Sequence, residues 1–225
     1  MSSITIALNG SEVTAAEGKT ILEVAQENGI DIPTFCSVEG LSPTGACRIC
    51  VVEVEGSRTL VGSCHTPITQ GMVIQTHSQK VIETRGVIME LLLTSHCGTC
   101  YMCEQANACK LRAIAADLDV GLPRFQSKKR FYQIEDISPY IVRDLTKCIL
   151  CRKYVRACNE IAGKNVFATG YRGFDSKIVV DFDEVLDKEV CRDCGICIPH
   201  CPTGALSAPV GITEEKKATP LIIRG

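Results

Sequence analysis

The chain has 225 residues, 15 of them cysteine, and a formal net charge of −2 from 24 Lys and Arg against 26 Asp and Glu. That length accommodates one large domain or several small ones, and balanced mixed charge gives no basis for a nucleic-acid or anionic-membrane partner. An odd number of cysteines in tight Cys-x2-Cys spacing makes a poor disulfide framework and suits thiolate metal ligation in a reducing cytoplasm.

The first ten residues, MSSITIALNG, have no basic stretch leading into a long apolar run, so no secretory signal is expected. The longest apolar stretch, 87–93, is interrupted by Glu90 and is too short for membrane insertion. Within that opening, ITIAL and a second strand-like run, Glu12 to Ala15, flank Asn9-Gly10, which predicts a β-hairpin. Thr20 followed by Glu23 predicts a capped helix with Ile21, Val24 and Ala25 on one face, and Gly29 ends it. A cysteine loop then opens at Pro33-Thr34-Phe35-Cys36. Hairpin, helix and cysteine loop in that order predict a plant-type [2Fe–2S] ferredoxin domain, β-grasp-like, over 1–79. Its candidate ligands are Cys36, Cys47, Cys50 and Cys64. The loop between Cys36 and Cys47, carrying Gly40, Pro43 and Gly45, is longer than in the plant-type Cys-x4-Cys-x2-Cys run. A structural four-thiolate zinc site is the alternative for these cysteines.

A helix is predicted over 80–95, with Val81, Ile82, Ile88, Met89 and Leu92 gathered opposite Glu83 and Glu90, and Arg85 intruding on the apolar side. It delivers the chain to SHCGTCYMCEQANAC, where two ligand sets are open. One is His96, Cys100, Cys103 and Cys109; the other replaces His96 with Cys97. Spacing does not choose between them. This small helical module is placed at 80–120. The stretch 121–137, with Lys128-Lys129-Arg130 between two aromatics, reads as a solvated linker.

Residues 138–209 hold an internal repeat. CRDCGICIPHCP (191–202) matches the bacterial Cys-x2-Cys-x2-Cys-x3-Cys-Pro run in full, whereas CILCRKYVRAC (148–158) keeps the spacing with Tyr154 in the third slot. The fourth cysteine of each run ligates the other cluster in two-cluster ferredoxins. One set is therefore Cys158, Cys191, Cys194 and Cys197, and the other is Cys148, Cys151 and Cys201 with Tyr154 at the missing place. Gly163 is expected to end the helix after Cys158, and KIVVDF (177–182) reads as a strand. A tail follows at 210–225. The fold class is α+β. No dinucleotide-binding glycine fingerprint, Walker loop, His-Glu-x-x-His or Gly-x-Ser-x-Gly is present. No catalytic site is expected, and electron conduction is the function that follows.

Taken together, the four cysteine groups give the chain a resemblance to the iron–sulfur (diaphorase-side) subunit of soluble NAD(P)-linked hydrogenases. It is similar, too, to the N-terminal cluster region of iron-only hydrogenases, of NAD-linked formate dehydrogenases and of the largest peripheral-arm subunit of respiratory complex I. The resemblance covers positions 1–209. It implies that His96, Cys100, Cys103 and Cys109 hold a [4Fe–4S] cluster. Relatives often show His-Pro-x-Asp-Cys there, where this chain has His96-Cys97-Gly98-Thr99-Cys100, which leaves Cys97 as an extra thiol. In relatives a cysteine fills the slot of Tyr154, while the flanking Val155-Arg156 are kept. The implied cofactors are one [2Fe–2S], two [4Fe–4S] and one further [4Fe–4S] or [3Fe–4S] at the Tyr154 site. The implied role is an electron-transfer subunit in a cytoplasmic hetero-oligomeric oxidoreductase, between a flavin/NAD(P)-binding subunit and a hydrogenase or formate dehydrogenase catalytic subunit. An electron-bifurcating version would add ferredoxin as a partner. A stand-alone multi-cluster ferredoxin and a zinc-bound structural scaffold are the competing readings.

Overall fold

The computed structural model describes residues 3–126, 130–138, 140–180, 183, 190–192 and 194–209. The chain forms two compact units. Met1–His96 with Lys110–Lys129 make the first, and Cys97–Cys109 with Arg130–Gly225 the second.

The first unit is built on a five-stranded mixed sheet in the order β2-β1-β5-β3-β4. Strands β1 (Ser3–Leu8) and β2 (Ser11–Ala16) form the expected hairpin, in register Leu8↔Ser11. Asn9 at φ 50° and Gly10 at φ 84° give the turn the two positive φ values that match strand twist. β5 (Val73–Gln75) lies parallel to β1, and β3 (Val51–Val54) runs antiparallel to both β5 and β4 (Val61–Gly62). Helix α1 (Ile21–Glu27) starts on a complete capping box: Thr20 Oγ1 accepts from the Glu23 N–H, and the Glu23 carboxylate accepts from the Thr20 N–H at 2.7 Å. Gly29, at φ 73°, follows its end as expected. Ile21, Leu22, Val24 and Ala25 of α1 pack with Ile4, Ile6, Leu8 and Ile74, and that same core takes in Cys50 and Cys64.

Helix α2 (Gln79–Ser95) is capped by Ser78. Its buried face differs from the one expected. Val81, Arg85 and Met89, spaced one turn apart, face inward, while Ile82 is 41% exposed. Arg85 is therefore part of the buried stripe, and its guanidinium donates to the Val51 carbonyl at 2.9 Å. Helix α3 (Lys110–Asp117) buries Leu111, Ile114 and Ala115.

The second unit contains a three-stranded sheet of β6 (Glu135–Ser138), β7 (Ile141–Arg143) and β10 (Leu206–Ser207), with β7 central, and an antiparallel pair, β8 (Phe167–Gly170) and β9 (Lys177–Val180). The expected strand 177–182 is thus seen through Val180; its last two residues, the basic pair Lys128-Lys129 and the tail 210–225 lie outside the described residues. Helix α4 (Lys153–Arg156) widens over Ala157–Ile161, where the Ala162 N–H reaches back to the Ala157 carbonyl at 3.0 Å, and Gly163 at φ 63° follows. Ile141, Leu145, Tyr154, Phe167, Ile178 and Leu206 form the apolar core, into which Cys158, Cys191 and Cys197 are packed.

The repeat is visible in the backbone as well as the sequence. Arg152, one residue after Cys151, has φ 62°; Gly195, one residue after Cys194, has φ 61°. An L-residue in that left-handed region is strained by roughly 1–2 kcal/mol, and the arginine side chain is exposed. Arg152→Gly is expected to raise stability by about 1 kcal/mol, net of the entropy glycine adds to the unfolded chain. A urea titration that shows no gain would contradict this.

Candidate metal centres

At the first centre all four thiols are buried: Cys36, Cys47, Cys50 and Cys64. Cys36 comes from the loop after α1. Cys47 and Cys50 come from the turn entering β3, with Arg48 between them at φ 58°, and Cys64 follows β4. Cys47 Sγ donates to Cys36 Sγ at 3.3 Å. Thiol hydrogen bonds from Cys47 and Cys64 hold Cys36 well below the usual thiol range, and the Cys64 thiol brings Cys50 down to about 6. The donors, Cys47 and Cys64, are pushed upward in return. Two sulfurs that ionise readily thus interleave with two that supply the protons. A binuclear iron core bound by four thiolates replaces those shared protons, so the donor set fits.

Two neighbours of this centre carried no signal in the sequence pattern. His65 places Nδ1 3.5 Å from Cys64 Sγ, and its ring lies so close over Gly62 that a Cβ there would meet it at 2.3 Å. Arg85 is 2% exposed and lies within electrostatic reach of Cys50; burial brings its guanidinium down to about 10, partly offset by the Cys50 and Asp31 charges. The long loop from Cys36 and helix α1 border a cavity of about 500 Å³ that reaches Cys64.

The second set is divided between the two units. His96 caps the C-terminus of α2 in the first unit, its backbone N–H bonded to the Leu92 and Leu93 carbonyls, and its residue is 6% exposed. Cys97 to Cys109 belong to the second. There Cys97 is buried and accepts from Thr99 Oγ1 at 3.4 Å, Cys100 is exposed, and Cys103 and Cys109 are half-buried. Cys103 Sγ sits against Gly204, where a Cβ would approach it to 3.0 Å and Lys147 to 3.3 Å.

The remaining seven cysteines sort into two groups by their electrostatic neighbours. Cys191 and Cys197 are each pushed up by burial and then by the charges of Cys158 and Cys194, Cys197 to about 12. Cys148 and Cys151 are pushed up chiefly by burial, to about 11 and about 12; the Cys201 charge adds to both and the Cys148 charge to Cys151, while backbone hydrogen bonds partly oppose the rise. Cys158 thus lies within electrostatic reach of Cys191 and Cys197, and Cys201 within electrostatic reach of Cys148 and Cys151. The Leu150 N–H donates to Cys148 Sγ at 3.4 Å. Three cations, Arg143, Lys153 and Arg156, are buried in the same unit. A set of thiolates with cationic surroundings suits the anionic cluster that thiolates and an iron–sulfide core form together. Burial pushes the Tyr154 phenol well above its usual value. Among the described residues no group of three or more His, Cys, Asp or Glu is placed to hold a single metal ion.

The features so far define an iron–sulfur protein with several separate centres. Comparison with known proteins agrees. Residues 1–79 match a 2Fe-2S iron-sulfur cluster binding domain, 85–124 an NADH-ubiquinone oxidoreductase-G iron-sulfur binding region, and 138–207 the ferredoxin-like domain of NADH-quinone oxidoreductase subunit 3. The chain is 39% identical to the NADP-reducing hydrogenase subunit HndD of Solidesulfovibrio fructosivorans, over 92% of this chain and 36% of that protein. It is 37% identical to the second G-type NADH-quinone oxidoreductase subunit of Rhizobium meliloti, over 92% of this chain and 24% of that one. It therefore spans about a third or less of the length of these curated relatives. A chain in the crystal structure of an NAD+-reducing [NiFe]-hydrogenase in the H2-reduced state superposes with a TM-score of 0.81 at 28% identity, covering 93% of this chain and 89% of that one. The chain is thus similar to iron–sulfur regions of proteins named as NAD(P)-linked hydrogenases and NADH-quinone oxidoreductases. Among the described residues no helix is long and apolar enough to cross a membrane.

Two substitutions probe these contacts. Arg85→Met leaves the Val51 carbonyl without its buried donor and should cost about 1–3 kcal/mol. By removing a buried positive charge near Cys50 it should also move the potential of the first centre to a more negative value, as read by potentiometric titration. Gly204→Val forces a branched side chain against Cys103 Sγ and is expected to deplete iron by about one four-iron cluster, while the [2Fe–2S] signal persists.

Proposed function

We propose that the chain is the electron-conducting subunit of a cytoplasmic NAD(P)-linked oxidoreductase complex. It would join a flavin/NAD(P)-binding subunit to a hydrogenase catalytic subunit. The observation that carries this is the grouping of the second unit's cysteines into two crossed sets beside a third group at Cys103. Several centres packed into one small chain, without a recognisable catalytic motif, suit a conductor better than a reactor.

In detail, a plant-type, β-grasp-like domain over 1–79 holds one [2Fe–2S] through Cys36, Cys47, Cys50 and Cys64. A small domain over 80–120 holds a [4Fe–4S] through His96, Cys100, Cys103 and Cys109. After the linker 121–137, a two-cluster domain over 138–209 holds a [4Fe–4S] through Cys158, Cys191, Cys194 and Cys197, and a further core through Cys148, Cys151 and Cys201. When bound, such cores accept and release one electron at a time. The protein's part is to set how readily they do so. A neutral imidazole at His96 carries one negative charge fewer than a thiolate, which favours the reduced state. The buried Arg85 acts in the same direction at the first centre. Burial of Cys151 and Cys197 keeps water from the sulfurs.

Support for the hydrogenase partner comes from what the relatives do: one is an NADP-reducing hydrogenase and another an NAD+-reducing [NiFe]-hydrogenase. The alpha chain of the NADPH-Fe(3+) oxidoreductase of Geobacter sulfurreducens, 35% identical over 90% of this chain, shows that other terminal acceptors occur among related proteins.

Protein purified without oxygen is expected to be brown, to contain about thirteen to fourteen irons with matching acid-labile sulfide, and to show several distinct paramagnetic signals when reduced. Zinc in place of iron would overturn the reading. A stable monomer in its native host, with no flavin-containing partner recovered, would favour the stand-alone ferredoxin instead.

A further inference from the structure

Three thiols and one phenol line the incomplete centre, and the phenol's surroundings bear on its role. Tyr154 is 1% exposed. Its ring stands edge-on to Phe167, with centroids 5.2 Å apart and planes at 85°, and it is packed with Ile141, Leu145 and Ile178. The hydroxyl has no partner of good hydrogen-bond geometry and makes a weak side-chain hydrogen bond with the Cys148 sulfur. A buried hydroxyl left unpartnered costs on the order of 1–3 kcal/mol, and sulfur on an anionic cluster is a stronger acceptor for it than a neutral thiol.

The repeat shows where the phenol stands. Arg152 and Gly195 share one backbone conformation after the second cysteine of each run, and two residues later come Tyr154 and Cys197. A cysteine carries its sulfur one bond beyond Cβ, ready to bind an iron just past it. A tyrosine carries its oxygen at the far end of an aromatic ring, beyond that position. Edge-on packing against Phe167 holds the ring in a fixed place. A ring in that slot would fill the space that a sulfur and its iron take in the other run.

We propose that Tyr154 is not an iron ligand: its ring occupies the fourth corner, Cys148, Cys151 and Cys201 hold a three-iron core, and the hydroxyl donates a hydrogen bond to sulfur of that core. This rests on the multi-cluster reading above. Three thiolates match three irons without a vacant ligand position, and the buried Arg143 and Lys153, within electrostatic reach of Cys148 and Cys151, supply positive charge for the anionic assembly. The donated hydrogen bond raises the core's potential, since hydrogen bonds to sulfur favour the reduced, more negative state. Tyr154 is thus a positioning and tuning residue.

The test is magnetic resonance and iron analysis of the full chain, purified without oxygen, as wild type, Tyr154→Phe and Tyr154→Cys. Three ferric ions hold an odd number of electrons and must be paramagnetic, whereas an oxidised four-iron core holds an even number. Oxidised wild-type protein is expected to show one half-integer-spin signal. Tyr154→Phe should keep that signal and its iron content while the midpoint potential of this centre falls. Tyr154→Cys should gain about one iron per chain, lose the oxidised-state signal and gain a reduced-state one. The proposal is overturned if the oxidised wild type is silent, whether with a full complement of irons or with a whole cluster missing. It is equally overturned if Tyr154→Phe changes the iron content or leaves the potential unmoved. Absence of iron from the other three centres as well would instead bring down the multi-cluster reading itself.

Discussion

Crowding sulfur into a dry interior is the constraint on which the rest of this molecule depends. A thiolate is the form that grips metal, yet burial opposes it, and the protein meets that conflict in two ways. At the first centre the sulfurs lean on each other: Cys36 accepts from Cys47 at 3.3 Å, and the Cys64 thiol eases the ionisation of Cys50. In the second unit burial outweighs the hydrogen bonds the sulfurs receive, and Cys148, Cys151 and Cys197 are driven to about 11–12. Both arrangements leave protons where a cationic core would sit, so loading iron must expel them. The backbone is shaped to the same end. Arg48, Leu150 and Arg152 adopt left-handed φ values of 58°, 55° and 62° within or beside the cysteine turns, which turns successive side chains toward a common point.

The sequence was most informative where structure is decided by neighbours along the chain. Asn9-Gly10 makes its hairpin turn, Thr20 and Glu23 make their reciprocal cap, and Gly29 and Gly163 follow the helical segments they were expected to end. Each depends on contacts a few residues apart. Arg85 shows the opposite case. On a helical wheel it looks like an intruder on an apolar face, because its partner, the Val51 carbonyl, lies 34 residues back. Periodicity carries no information about a single acceptor exposed at the end of a distant strand. His65 is hidden for a similar reason: its place beside Cys64 depends on the absence of a side chain at Gly62. Of the candidate centres, the cysteine groups could be proposed because ligand spacing is local, and a crossing of Cys158 and Cys201 between runs could be proposed because the motif occurs twice. The electrostatics around each sulfur could not, since they depend on depth.

Duplication explains why a ligand can be lost here without losing the fold. The two runs share their wrap: a left-handed residue after the second cysteine, then a side chain two residues on that is directed inward, Tyr154 in one run and Cys197 in the other. In the second run that side chain is a small sulfur. In the first it is a large aromatic locked edge-on to Phe167 at the heart of the apolar core. In place of a metal bond, an entire ring is buried there, and its edge-on pairing adds roughly 0.5–1.5 kcal/mol beyond the area it buries. A smaller replacement such as alanine or serine would have left a void beside Leu145 and Ile178. A charged one would have met Arg143 and Lys153. Tyrosine, unlike phenylalanine, fills that space and still presents a hydrogen-bond donor toward Cys148, which is why the departure from the repeat reads as a refitted site rather than an eroded one.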